Sequence, residues 1–319
     1  METLIKPERL RLGDTVGIVA PASPPPDPKA IDRAIESLES AGFKPKLGNC
    51  VRERHGFLAG NDRDRAADIM EMFSDRNVKA VMCLRGGYGS ARLLNLLDFE
   101  VIRRNVKIFS GFSDITSLHC AMINKVGMIT VHAPMLHGGL LFKKSLEFAR
   151  ASFLRTIMEP KPSGSIVAGL EEKKNSVVRK GVVEGQLIGG NLSVLCATLG
   201  TPFQPSFKGK ILFLEDIGEK PYRLDRMLTH LLNAGILQQV AGIAVGVNRD
   251  CEDTDEAKQT EYRQSSADVF KERLSELGVP VVVDLPFGHV DLHATIPIGA
   301  RARLDGDNGD LSVLEAAVS

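Results

Sequence analysis

Apolar runs that alternate with helical stripes dominate the first 132 residues and leave few architectures open. Thr15–Ala20 reads as a buried strand, halted by Pro21 and by Pro24–Pro26. Ile31, Ala34, Ile35 and Leu38 then share one helical face, with Gly42 just past its end. Phe43–Leu47 is the next strand, and Asn61 or Asp62 can cap a helix carrying Ala66, Ile69, Met70 and Phe73. Val78–Leu84 is a further strand that runs into Arg85-Gly86-Gly87-Tyr88-Gly89. The spacing beyond it predicts a helix over Ala91–Leu97, a strand at Val106–Phe109, a helix from Asp114 to about Lys125 and a strand at Met128–Val131. Strand, crossover helix and strand again is the pattern of a mostly parallel sheet covered by helices. Ligand groups in such sheets sit on loops leaving the carboxyl ends of the strands, which singles out the turns at 85–89 and 111–114.

The texture changes after Met158. Glu159–Ser165 is rich in Pro and Gly, and 171–174 is a charged patch, so 159–183 reads as a connector that includes an early strand of a second domain. A chain of 319 residues has room for two cores. The expected division is a domain at 1–158 and another at 184–319. In the second, strands are expected at Lys210–Leu214, Val240–Val247, Val279–Leu285 and Thr295–Ile298, and helices at Arg223–Leu237 and Ser265–Leu277.

Composition excludes several classes. Lys+Arg and Asp+Glu both number 40, and no basic block occurs, which argues against a dedicated nucleic-acid binder. No stretch of about 18 apolar residues could span a membrane, and Met1–Asp14 lacks the apolar core of a signal peptide. Five widely spaced cysteines, with no C-x-x-C pair, fit reduced thiols in a cytoplasm, most of them small buried hydrophobes. The acidic run Asp250–Glu256 lacks the spacing of a calcium loop and reads as solvated. No clustered metal-ligand motif is present.

The strongest chemical signal is Gly111-Phe112-Ser113-Asp114, where an apolar strand turns directly into a helix. A sharp turn there lifts the Ser113 hydroxyl above the sheet, and the Asp114 amide faces an oxyanion at the helix start. Ile115 stands where a nucleophile elbow usually has its second Gly, and a plain helix cap by Ser113 is the competing reading. The Gly86-Gly87 segment can supply a second oxyanion donor; alternatively it is an ordinary turn. A serine nucleophile needs a base. The candidates are His55, His119, His132, His137, His230, His289 and His293, with His119 and His230 in helical patterns, His132 ending a strand near the site and His289 on a loop after one. An acid to orient the base can be Glu215 or Asp216 at the end of a strand, unless Glu215 simply pairs with Arg223 or Arg226.

These residues together resemble the LD-carboxypeptidases, a family that also includes the microcin C immunity peptidases. The resemblance runs through Leu12–Pro24, Arg85–Gly89, Gly111–Asp114, Leu187–Leu192, Leu214–Asp216, Pro221–Arg226 and Gly288–Val290, nearly the length of the chain. It implies a flavodoxin-like, mostly parallel N-terminal sheet flanked by helices and a mixed α/β, β-barrel-like C-terminal domain. It also implies a triad of Ser113 as nucleophile, His289 as base and then acid, and Glu215 as orienting acid, with the backbone of Asp114, Gly86 and Gly87 as oxyanion donors. The implied reaction releases terminal D-alanine from a cytoplasmic murein tetrapeptide, or from its UDP-MurNAc form, without metal or cofactor, in a homodimer. Arg85, Tyr88, His132 and Arg223 are the expected substrate-binding residues. The chain has Ala133 where the family pattern has Gly. Cleavage of an aminoacyl nucleotide is the alternative, and a non-catalytic peptide binder a third reading.

Overall fold

The computed structural model describes residues 4–141, 143–170, 175–253 and 264–319. The charged patch at 171–174 and the end of the acidic run, 254–256, lie outside the described residues.

The first sheet contains β1 (Thr15–Val19), β2 (Lys44–Leu47), β3 (Val78–Cys83), β4 (Ile108–Gly111) and β5 (Thr130–His132). They lie in the order 2-1-3-4-5, all parallel, which is the flavodoxin-like order. Helices α1 (Lys29–Ser40), α2 (Asp62–Ser74), α3 (Phe99–Arg104) and α4 (Thr116–Lys125) connect its strands, and α5 (Glu147–Met158) follows it. β1, β3 and β4 are almost wholly buried, as strands covered on both faces must be. Asn61 caps α2 by accepting the Asp64 amide at 3.0 Å. The expected helix at Ala91–Leu97 is a 3₁₀ segment, Ser90–Leu96.

The second sheet is built from β6 (Gly164–Ser165), β7 (Ser176–Arg179), β8 (Val182–Asn191), β9 (Ile211–Glu215), β10 (Gly242–Val247) and β11 (Val281–Gly288). Two later strands, β13 (Arg301–Asp305) and β14 (Asp310–Val313), complete it. Helices α6 (Leu192–Thr198), α7 (Pro221–Asn233) and α8 (Ser266–Leu274) accompany these strands. The strand order is 6-14-13-8-9-10-11-7. The expectation of a barrel-like domain is corrected: β6 and the mostly exposed β7 form two separate edges, and the sheet stays open. β12 (Ile296–Ile298) leaves this sheet and pairs antiparallel with β5, so the chain returns to the first sheet as its sixth strand.

β8 and β9 approach closely because Gly189 has no side chain. A Cβ there would run into the Phe213 carbonyl, and its φ of +143° is one that L side chains rarely adopt. At the end of β8, the Asn191 amide donates to Thr116 Oγ1 on α4 at 3.0 Å, and Asn191 Nδ2 donates to Asp216 Oδ1 at 3.0 Å. One residue therefore ties the start of α4 to the end of β9.

Candidate active site

β4 ends at Gly111, and a Cβ there would crowd Ile115 Cγ1 and Cγ2 at 3.0 Å and Cys83 Cβ at 3.1 Å. A glycine is needed to let the chain turn this tightly, and Ile115 packs into the space that a second Gly would otherwise leave open. Ser113 follows with φ +62°, a left-handed conformation that is strained for a residue with a side chain. The turn is held by His119, whose Nε2–H donates to the Gly111 carbonyl at 2.9 Å, and by the Ala133 amide, which donates to the same oxygen at 3.2 Å. Burial pushes the His119 imidazole down to about 4, so it stays neutral in this donor role.

His289 follows β11. Its Nε2 lies 3.1 Å from Ser113 Oγ, and its Nδ1 lies 2.7 Å from Glu215 Oε2. Glu215 closes β9 and is fully buried. The other oxygen, Oε1, has no hydrogen-bond partner among the described residues. The two acids left open by the sequence are separated by strand alternation. Asp216 points the other way, where it accepts Asn191 Nδ2, Ser193 Oγ at 2.5 Å and the amides of Ser193 and Ile217. Among the described residues Glu215 pairs with neither Arg223 nor Arg226; Arg223 lies against Glu219 at 3.4 Å, on the surface.

The loop that carries His289 is fastened at both ends. Its carbonyl accepts Arg249 Nη1 at 3.1 Å, and the Ala294 amide donates to the Pro286 carbonyl at 2.6 Å. The Phe112 ring packs on three imidazoles, with centroids 4.7 Å from His289, 5.0 Å from His293 and 5.7 Å from His132. Expected at the pocket wall, His132 is instead fully buried between Phe112, Phe213 and His293, out of reach of a substrate. Desolvation explains why it lies well below the ordinary histidine range, with His293 nearby adding to the effect.

The glycine-rich loop abuts the serine. A Cβ on Gly86 would sit 3.2 Å from Ser113 Cβ and 3.3 Å from the Phe112 carbonyl. The Asp114 carboxylate binds this loop from the other side, accepting the Ser90 amide through Oδ2 and the Gly89 amide through Oδ1. Tyr88 stands exposed on the loop, in edge contact with Phe57 at 5.5 Å. All five cysteines are free. Cys83, on the strand before this loop, is pushed well above its usual range by burial, so no thiolate competes with the serine. Among the described residues no cluster of His, Cys, Asp and Glu could hold a metal ion. A cavity of about 670 Å³ is lined in part by Val290, Asp291 and Leu292 of the loop that carries His289, but by none of Ser113, Glu215 or His289.

Ser113, Glu215, His289, Asp114 and the Gly86-Gly87 segment, all expected from the sequence, lie together in the structure. Thr116, Asn191 and Arg249 also help build the site and have no part in the sequence-based expectations, while Asp216 and His119, a candidate acid and a candidate base, serve instead as structural hydrogen-bond partners. Asn191 had a visible signal, since it follows two glycines and immediately precedes an apolar helix.

Fold and geometry define a protein class: two α/β sheets meeting at a serine, an imidazole and a carboxylate in hydrogen-bonded series. The family model for the LD-carboxypeptidase N-terminal domain matches residues 16–133, and that for the LD-carboxypeptidase C-terminal domain matches residues 184–304. The chain belongs to the LD-carboxypeptidase family and is by that membership a serine peptidase. It is 40% identical over 314 residues to a Bacillus subtilis protein named "Probable murein peptide carboxypeptidase", covering 98% of this chain and 95% of the relative. The murein tetrapeptide carboxypeptidase of Pseudomonas aeruginosa is 32% identical over 299 residues, 92% of this chain and 93% of that one. Among solved structures, the muramoyltetrapeptide carboxypeptidase of Oxalobacter formigenes superposes with a TM-score of 0.82 at 33% identity, covering 94% of this chain and 99% of that one. MccF in complex with glutamyl sulfamoyl guanosine gives a TM-score of 0.87 at 25% identity, covering 98% and 99%.

Proposed function

We propose that this chain hydrolyses the L,D-peptide bond before the terminal D-alanine of a murein tetrapeptide, using Ser113, His289 and Glu215. The observation that carries this reading is the unbroken series from Ser113 Oγ through His289 to Glu215 Oε2, at 3.1 and 2.7 Å. The Ser113 hydroxyl donates its proton to His289 Nε2 as its oxygen attacks the carbonyl of the residue preceding D-alanine. The Nδ1–H bond to buried Glu215 holds the imidazole in the required tautomer and stabilises the imidazolium that forms. The oxyanion is received by the amides of Asp114 and of the Gly86-Gly87 segment, which the elbow sets beside the reacting carbon. His289 then passes the proton to the departing amine, and a water activated by the same imidazole releases the acyl group from Ser113.

The relatives named as murein carboxypeptidases support this substrate over an aminoacyl nucleotide. The reading places the enzyme in the cytoplasm, as a homodimer. Five free cysteines, and the lack among the described residues of a helix long and apolar enough to cross a membrane, are consistent with that compartment.

The test is incubation with UDP-MurNAc-tetrapeptide and, in parallel, with a processed microcin C analogue, followed by mass spectrometry. Loss of one alanine from the first, abolished in Ser113→Ala, is the expected result. Cleavage of the second alone moves the assignment to the immunity branch. Folded enzyme that cleaves neither defeats both.

A further inference from the structure

The strand order 2-1-3-4-5 reverses between β1 and β3, and the loops that diverge there open the crevice where open α/β sheets take their ligands. Arg85 is on the segment leaving β3 at that crevice. Its Nη1 donates to the Pro24 carbonyl at 2.5 Å, bridging the two diverging loops. No carboxylate pairs with it among the described residues, although the side chain is partly buried. Other arginines around the site are engaged or remote. Arg65 is fully buried and paired with Asp62, Arg223 lies against Glu219, Arg249 is spent on the His289 carbonyl and Asp250, and Arg54 is exposed.

A peptidase that removes one terminal residue must hold a carboxylate very near the reacting carbonyl, since one residue spans only about 3.8 Å. The cation that does this has to stand next to the oxyanion donors. Arg85 immediately precedes Gly86, whose Cα abuts Ser113. We propose that Arg85 is the anchor for the free α-carboxylate of the substrate's terminal residue, and so the group that restricts the enzyme to chain ends. The inference rests on the carboxypeptidase reading above. A guanidinium with its remaining N–H groups unspent offers a planar pair of donors to a carboxylate, a geometry lysine cannot copy. Burial lowers the pKa of Arg85, and no anion among the described residues offsets that cost.

The test compares a tetrapeptide ending in D-alanine with the same peptide ending in D-alaninamide, using wild type, Arg85→Gln and Arg85→Lys, with thermal melting as the check on folding. Wild type should prefer the free acid by on the order of 100-fold in kcat/KM, the scale of lost charge-assisted hydrogen bonds. Arg85→Gln should lose about 10- to 100-fold on the acid, chiefly through KM, while changing the amide by less than about 3-fold. Arg85→Lys should recover only part of the preference. An acid-to-amide ratio in Arg85→Gln equal to that of wild type would overturn the assignment. So would an equal fall on both substrates, which would mark a structural role through Pro24. Wild type that cleaves neither peptide defeats the carboxypeptidase reading itself, and Arg85's role with it.

Discussion

Asp114 Oδ2 accepts the Ser90 amide at 2.8 Å, while the Asp114 carbonyl accepts Ser90 Oγ at 2.6 Å. The residue after the nucleophile thereby clamps the far end of the glycine-rich loop whose near end touches Ser113. Ser90 Oγ also lies 2.7 Å from Ser117 Oγ on α4, so turn, loop and helix form one buried polar unit. These hydrogen bonds tie together the two segments that carry the proposed oxyanion donors.

Replacing Asp114 by Asn sets an NH2 group against a backbone N–H and frees one end of the loop. Steady-state kinetics on the murein peptide should show kcat lowered by about 10- to 100-fold, with KM little changed, because the defect is in oxyanion alignment. A fall confined to KM would contradict this.

Glu215→Gln keeps the size of the side chain but can present its amide to His289 Nδ1 and favour the wrong tautomer. A loss of about 10⁴-fold in kcat is expected, on the scale of the same change in serine proteases. Circular dichroism should be unchanged, and Asp216→Asn should behave differently, costing stability through its four accepted hydrogen bonds.

Gly189→Ala drives a methyl group into the Phe213 carbonyl, which cannot move without breaking the register of β8 on β9. Urea unfolding should show a loss of more than about 3 kcal/mol, or no folded protein at all. Gly200→Ala, at φ +74° but with open space around it, should cost about 1 kcal/mol.

Acid should unfold this protein earlier than its neutral composition suggests. Burial lowers His293 to about 3 and His119 to about 4, from the ordinary 6.5, and takes His132 well down too. Above pH 6.5 these groups are neutral in both folded and unfolded chains and contribute nothing to the pH dependence. Below it the unfolded chain binds protons that the folded one refuses, so stability falls until the pH passes the folded values. Each such histidine adds a slope of up to about 1.4 kcal/mol per pH unit. Chemical denaturation from pH 7 to pH 4 should show the steep fall, and His293→Phe should flatten it.

The first sheet was readable because strands buried on both faces are near-continuous apolar runs, as in β1 and, apart from Lys79, in β3. The second was harder. β8 contains Gly185, Gly189 and Gly190, which read locally as breaks, β7 is largely exposed, and β13 buries only alternate residues, Ala302 and Leu304. The 3₁₀ segment Ser90–Leu96 carries the same apolar spacing as a short α-helix, and what keeps it 3₁₀ is not legible from periodicity. Ser113 announced itself through Gly111 and the strand-to-helix turn. The choice between Glu215 and Asp216 could not be made from the local residues, because neighbours on a strand face opposite ways and only the partner strands decide which way is inward. His132 misled for a related reason: the end of a parallel strand usually opens to the ligand, but here β12 and the rings of Phe112 and Phe213 cover it.

β12 comes only a few residues after His289, and it is stitched to β5 rather than to the sheet it has just left. A gene cut near residue 184 would not yield two self-sufficient modules: the front piece would expose the raw flank of β5, and the back piece would carry a stray strand with no berth. Co-expressed fragments should instead find one another, and hydrolysis would return only when they do.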